Sequence, residues 1–316
     1  MLKGLAITPP IVGRISIGKV VEKNGKRLPE KDDEFTITTQ VQTKDGWMLH
    51  PLNQSLRKDS STSNPNSKLR SIPVQVMFND PDLNLRASYH YFDRQTGRPL
   101  CVGNGETCKR STVDGIKELP CPGPDACHMG QGGNCKPYGR LNVLIGDEDE
   151  LGSFIFRTTG HNSIRTLAAR LKYFQAVSGG HLATLPMELR LRGKSTTQSH
   201  RTPIYYVDLT VRTGMTMAEA VAEARKISDE RKAAGMDQNG LDEAARKGFT
   251  AGAFEESAEE GGVVVEEFYP PTDIEGVEGA HATVAPSGET TLSQKLDHKV
   301  LTRAKARPLS AQSLSG

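Results

Sequence analysis

Residues 187–211 read MELRLRGKSTTQSHRTPIYYVDLTV, and both ends of this stretch alternate apolar with polar side chains. A period of two is what a half-buried strand requires, because successive side chains point to opposite faces. In the first segment Met187, Leu189 and Leu191 turn one way and Arg190, Arg192 and Lys194 the other. In the second, Tyr205, Val207, Leu209 and Val211 share a side. Related patterns upstream, at 35–41 (with Phe35, Ile37 and Val41 on one side), 72–78, 85–92, 140–145 and 153–157, predict further strands.

Helical signals are fewer. Asn162 or Ser163 is expected to cap a helix in which Ile164, Leu167, Ala168, Leu171 and Phe174 recur at helical spacing, with Arg165 and Lys172 off that stripe. Thr216 and Glu219 have the spacing of a capping box, opening a second helix that runs to about Ala234 and stops at Gly235. The polar stretch 55–71 (SLRKDSSTSNPNSKLRS) reads as a mobile connection, or as an arm that touches a nucleic-acid backbone.

The predicted fold is therefore α+β. A strand-rich core over residues 1–212 carries an inserted Cys-rich zinc loop at 101–135, followed by a helical extension over 213–251 and a disordered acidic tail over 252–316 with a basic end. The low hydrophobic content, 36%, agrees with a chain that does not pack along its whole length. The net charge of +2 averages opposite regions: no Lys or Arg lies between Gly248 and Gln294, where ten acidic residues do. The remainder is basic, as expected of a surface that meets phosphates. Residues 1–10 do not make a secretory signal and no apolar run could span a bilayer, which places the protein in the cytoplasm, away from membranes.

All five cysteines fall in one Gly- and Pro-rich window with the spacing C-x6-C-x12-C-x5-C-x7-C. In a reducing compartment an odd number of clustered thiols points to metal rather than disulfides. Four thiolates around zinc would staple a loop that lacks an apolar core, and a full ligand set makes such a metal structural. The expected ligands are Cys101, Cys121, Cys127 and Cys135, with Cys108 as the first substitute and His128 behind it.

Catalytic signatures fail on inspection. Gly103-Asn104-Gly105 does not complete a dinucleotide fingerprint, and 130–136 (GQGGNCK) puts Cys135 where a phosphate loop needs glycine. The remaining enzymatic candidate is Asp147, Glu148, Asp149 and Glu150 ahead of His161, which could hold magnesium for phosphodiester hydrolysis; a solvated turn explains the same residues. The cations Arg190, Arg192 and Lys194 form a line suited to a phosphate backbone. Arg157, Arg165, Lys172, His200 and Arg201 could lie nearby, with Tyr138, Tyr205 and Tyr206 for stacking if exposed. The ordinary alternative is a strand face charged for solubility.

Several segments together resemble the phage recombination directionality factor-like family, whose relatives in mobile elements are often labelled hydrolase or metal-binding protein. The likeness rests on Cys135-Lys136-Pro137, Arg140-Leu141, an acidic turn, Gly152-Ser153-Phe154 and Gly160-His161-Asn162-Ser163, and on Gly13-Arg14-Ile15 with Ile17-Gly18, Asn24-Gly25, Pro29 and Phe35. It implies a phage or mobile-element protein that binds DNA, or a serine integrase on DNA, and switches recombination from integration to excision. It carries over the four cysteines named above and no catalytic residue. The reading is of a non-enzymatic accessory factor. A single-stranded DNA-binding or annealing factor, whose acidic tail could occupy the DNA groove until displaced, and a metal-dependent nuclease or hydrolase are the alternatives.

Overall fold

Alternation along 187–211 produces two paired strands, β11 (Met187–Lys194) and β12 (Ile204–Val211), antiparallel in the register Leu189↔Leu209 and Arg192↔Tyr206. With β4 (Ser71–Val74) on the other side of β11 they make a three-stranded sheet in the order β12-β11-β4. The computed structural model describes residues 10–23, 26–44, 46–60, 68–146, 152–195, 197, 202–249, 264–265 and 268–269. The chain divides into two units, Met1–Thr272 and Asp273–Gly316, and every described residue belongs to the first.

A larger sheet is built from the long hairpin β1 (Ile11–Lys23) and β2 (Lys26–Thr43) with β3 (Gly46–Leu49) at its edge. It continues through β10 (Ser153–Thr158), β9 (Cys135–Val143) and β5 (Leu85–Phe92). The strands β6 (Pro99–Gly103), β7 (Thr107–Thr112) and β8 (Gly115–Pro120) complete it. The order is β3-β2-β1-β10-β9-β5-β6-β7-β8, nine strands, with β1 and β10 parallel and the other pairs antiparallel.

Period-two patterning decides which face is inside. Ile15, Ile37, Leu85, Leu141 and Phe156 project from the large sheet and Ile72, Met187, Leu189, Val207 and Leu209 from the small one, all into one core. Besides the short turn α2 (Pro81–Asn84), the helices are α1 (Pro51–Ser60), α3 (His161–Val177), α4 (Met217–Ala233) and α5 (Gln238–Phe249). Leu167, Leu171 and Phe174 of α3 and Ala220 and Ala224 of α4 join the same core. Gly139 lets α3 approach β9, since a Cβ there would lie 2.9 Å from Ile164. No helix among the described residues is long and apolar enough to cross a membrane.

Several local expectations change. The cap of α3 is Gly160, while Ser163 is buried and its hydroxyl accepts from the Val207 amide at 3.1 Å, tying α3 to β12. The capping box of Thr216 and Glu219 is present, and Gly235 has φ +90 just beyond α4. Part of the stretch 55–71 is helix α1, residues 61–67 lie outside the described residues, and Leu69 is buried. Lys68 and Arg70 pair with Asp33 beside a cleft of about 310 Å³ that also carries Tyr205. Residues 101–120 are not an irregular loop. They extend the large sheet as β6, β7 and β8. Within 252–316, Val264 and Phe268 are buried against the sheet, and the remainder apart from Val265 and Tyr269 lies outside the described residues.

The outer face of β11 and β12 is held by buried carboxylates. Asp208, 4% exposed at its side chain, accepts from Arg170 at 2.9 Å and Arg192 at 2.8 Å. Burial pushes its pKa up, but the hydrogen bonds and charges of the two arginines outweigh this and hold it below the ordinary carboxylate range. A depressed pKa contributes stability above the unfolded value of about 3.9, lost as pH falls through the lower folded value. Replacing both Arg170 and Arg192 by Met should therefore destabilise the fold by on the order of 3 kcal/mol at neutral pH. Either replacement alone should cost about 1 kcal/mol, because the guanidiniums are half exposed. Urea melts at pH 7 and pH 3 check this: the double variant should lose most of its deficit at the lower pH.

Candidate functional site

The five cysteines gather at one end of the large sheet. Tyr91 on β5 stands opposite Cys101 on one neighbour and Cys135 on the other, so both thiols share its face. Cys108 faces Gly103 across the β6–β7 ladder, Cys121 follows β8, and Cys127 precedes the 3-10 turn His128–Gly133. The Cys121 amide donates to Glu106 O at 2.8 Å and the Cys127 amide to Gly123 O at 3.1 Å, fixing the two loop thiols through their backbones. Gly103 leaves room for sulfur: a Cβ there would lie 2.7 Å from Cys121 Sγ.

The sulfurs are close enough to oppose each other's ionisation. Burial and then the neighbouring cysteines push the Cys135 thiol up to about 12, and burial and Cys101 push Cys108 to about 11. Arg110, opposite Cys101, places a cation among them, and its buried Nε has no hydrogen-bond partner among the described residues. No three His, Cys, Asp or Glu side chains among the described residues are grouped as a metal site.

The opposite face of the same strands carries cations. Arg140 on β9 stands opposite Arg86 on β5 and Arg157 on β10, a row of three arginines across adjacent strands. Asn142 and Ile155 pair next to it, and Ile155 also faces Arg14 on β1, whose guanidinium lies 4.1 Å from the Trp47 ring. Arg14 and Arg140 are each 8% exposed. Arg14, Arg86 and Arg140 each have interaction partners within the protein, so the row is a cluster of cations brought together by register.

At the end of this row lies an aromatic groove. His90 stacks on Phe92 and meets Tyr138 edge-on, with centroids 5.2 and 5.1 Å apart. Burial, then Arg140, pushes the His90 pKa down to about 3, so the ring is neutral. Val264 and Phe268 fill the groove, with Val265 and Tyr269 packed beside them. The Tyr269 amide donates to Val265 O at 2.8 Å, the bond of one helical turn. Phe268 sits edge-on to Phe92 at 4.9 Å, the Tyr269 hydroxyl donates to Asn134 O at 2.6 Å, and Lys136 Nζ donates to Phe268 O at 3.1 Å.

The cations expected to bind nucleic acid separate into groups. Arg190 is hydrogen-bonded to Glu188, Arg192 to Asp208, and Lys194 to Asn162 Oδ1 at 2.8 Å, all within the protein. Arg165, Lys172 and His161 are exposed on α3, and Tyr205 and Tyr206 are half-buried on β12. Arg157 lies on the outer face of the large sheet, as does Tyr138, which is buried under Phe268 and offers no free ring. His200, Arg201 and residues 147–150 lie outside the described residues. The residues that spacing did not reveal are Arg86 and Arg140, because only strand register brings them beside Arg157.

Gly103→Ala should force Cys121 and Cys108 away from β6, costing about 1–3 kcal/mol as overpacking does. Thiol labelling by a disulfide reagent under native conditions should quicken in this variant. Unchanged labelling would show that Gly103 does not hold the thiols together.

No curated protein and no solved structure matches the chain. A family model does, across residues 12–212, which takes in the core of both sheets, the cysteines and the arginine row. With more than half its length so matched, the chain belongs to the Gp3-like, recombination directionality factor-like family.

Proposed function

We propose that the chain is a non-enzymatic, DNA-binding accessory protein of a phage or mobile element, regulating the direction of integrase-catalysed recombination. The observation that carries the DNA reading is the row Arg86, Arg140 and Arg157, where register concentrates like charge on one sheet face. Phosphates would add to the contacts such a row can make, and releasing their counterions would make affinity steeply salt-dependent. Arg190 and Arg192 serve mainly to neutralise Glu188 and Asp208, so the large sheet is the better candidate for the DNA face. The partner this reading calls for is a serine integrase or another recombinase.

Arg86→Ala with Arg157→Ala should weaken binding to duplex DNA and lower the salt slope by about 0.9 for each phosphate that the variant no longer neutralises. The measurement is a titration by fluorescence anisotropy at several salt concentrations, with and without a serine integrase from the same element. Retained affinity in this variant, with weakened binding in Arg190→Glu and Arg192→Glu, would return the DNA site to β11. Tight binding to single strands alone would favour the annealing reading.

A structural zinc on Cys101, Cys121, Cys127 and Cys135 completes the proposal, with Cys108 as the substitute ligand. The donors suit it: a dication would relieve the mutual repulsion of the thiolates, and four of them around zinc leave a doubly negative centre that Arg110 partly offsets. Bound there, the metal would hold β6, β8 and β9 together and present no open coordination position. Metal analysis should find one zinc per chain, absent from Cys121→Ser with Cys127→Ser and kept in Cys108→Ser. Absence of zinc from Cys108→Ser with retention in Cys101→Ser would exchange those two ligands.

A further inference from the structure

Helix α3 presents two faces of different chemistry. Leu167, Leu171 and Phe174 enter the core, whereas Arg165, Ala169, Lys172, Tyr173 and Ala176 are exposed on the far side. These five recur at i, i+4, i+7, i+8 and i+11 and so line one face. The helix contains no Asp or Glu from His161 to Val177, and among the described residues Arg165 and Lys172 form no ion pair. Its margins are cationic too. Arg170 shares Asp208 with Arg192, so one carboxylate serves two guanidiniums. Lys194 donates to the neutral amide of Asn162 in the first turn and keeps its charge. Beyond the last turn stands Arg225 of α4, its Nη2 3.9 Å from where a Cβ on Gly179 would lie.

We propose that the outward face of α3 docks along the major groove of duplex DNA, with Ala169 and Ala176 toward the groove floor and Arg165, Lys172 and Lys194 on the phosphates of its walls. The proposal rests on the DNA reading given above, adds a second contact face to it, and commits it to the duplex form. Successive residues turn by about 100° around the axis. Arg165 and Lys172 therefore fall on one side of the two alanines, and Asn162, with Lys194 bonded to it, on the other. Cations thus flank a strip of methyl groups. An α-helix with its side chains is about 10–12 Å across and the major groove about 12 Å wide, so side chains as small as alanine let the backbone approach the base edges. Arg165 and Lys172 are about 10 Å apart along the axis, at 1.5 Å per residue, and reach separate phosphates. An acidic protein surface would match the charge as well, but between these cations it would find only alanine methyl groups to pack on, since the large exposed side chains Tyr173 and Val177 lie to one side. Charge with little apolar area suits a polyanion better than a protein interface, which draws its affinity from large buried anchors.

The test uses the full-length protein, Arg165→Ala with Lys172→Ala, and Ala169→Leu with Ala176→Leu. All four positions are exposed, and Ala and Leu are strong helix formers, so both variants should keep the fold, which melts followed by circular dichroism check. Binding is read by anisotropy on labelled duplex DNA, single-stranded DNA and duplex RNA of one sequence at several salt concentrations. The variant without the two cations should bind duplex DNA about tenfold more weakly at low salt, with a salt slope lower by about 1.8, or 0.9 for each phosphate lost. The leucine variant keeps every charge. It should lose about fivefold on duplex DNA through crowding at the groove floor, with its slope unchanged. On duplex RNA, whose major groove is too deep and narrow to admit a helix, it should bind as wild type does. Unchanged duplex affinity in both variants, whether or not their binding to a recombinase weakens, would overturn the α3 face while leaving the DNA reading with the arginine row. Equal losses on single strands and duplex without the two cations, and none with the leucines, would overturn docking in the groove. Absence of binding by all three proteins, wild type included, would overturn the DNA reading and this proposal with it.

Discussion

Strand β9 is hydrogen-bonded on both sides, to β5 and to β10, and its period of two forces one short sequence to serve two surfaces. Leu141 and Val143 point into the core between the sheets. Tyr138 and Arg140 point to the opposite face, and Cys135 begins the strand on the core-side parity. A slip of one residue would bury Arg140 among aliphatic side chains and expose Leu141, so register here is fixed by the hydrophobic core. Core, arginine row and thiol cluster depend on that single alignment.

The alternation of 187–194 and 204–211, the strand at 85–92 and the stripe of α3 were legible because each packs one apolar face on a shared core. What failed to show was structure that lacks such a face. Strands β7 and β8 are largely exposed and carry almost no apolar alternation, so their ladder rests on backbone hydrogen bonds. The Asp114-Gly115 dipeptide between them was an available hairpin signal, and Gly115 has φ +110 there. The docked turn was hidden by the acidic sequence around it. Val264, Val265, Phe268 and Tyr269 nevertheless have the i, i+4 spacing of one helical face.

The arginine row illustrates a different limit. Arg86 and Arg140 are 54 positions apart and Arg140 and Arg157 are 17 apart, and nothing in their local sequence distinguishes them from other surface cations. By contrast Arg190, Arg192 and Lys194 stand in line on one strand and drew attention for that reason. Once the small sheet forms, Glu188 and Asp208 lie between those cations on the same surface and neutralise much of their charge. Proximity in sequence gave a line of charge, whereas strand pairing brought together cations that lie far apart in the chain.

The two faces of β9 are also joined through its first residues. Tyr269 donates its hydroxyl hydrogen to the carbonyl of Asn134, the residue immediately before Cys135. Burial pushes the Tyr269 pKa up to about 12, so this donor persists throughout the neutral range. A metal that fixed Cys135 would therefore also fix the acceptor that Tyr269 needs, and would favour the docked turn through a shared peptide unit. With such a metal bound, occupancy of the thiol site on one face and of the groove on the other would be linked equilibria, each shifting the other by the same free energy.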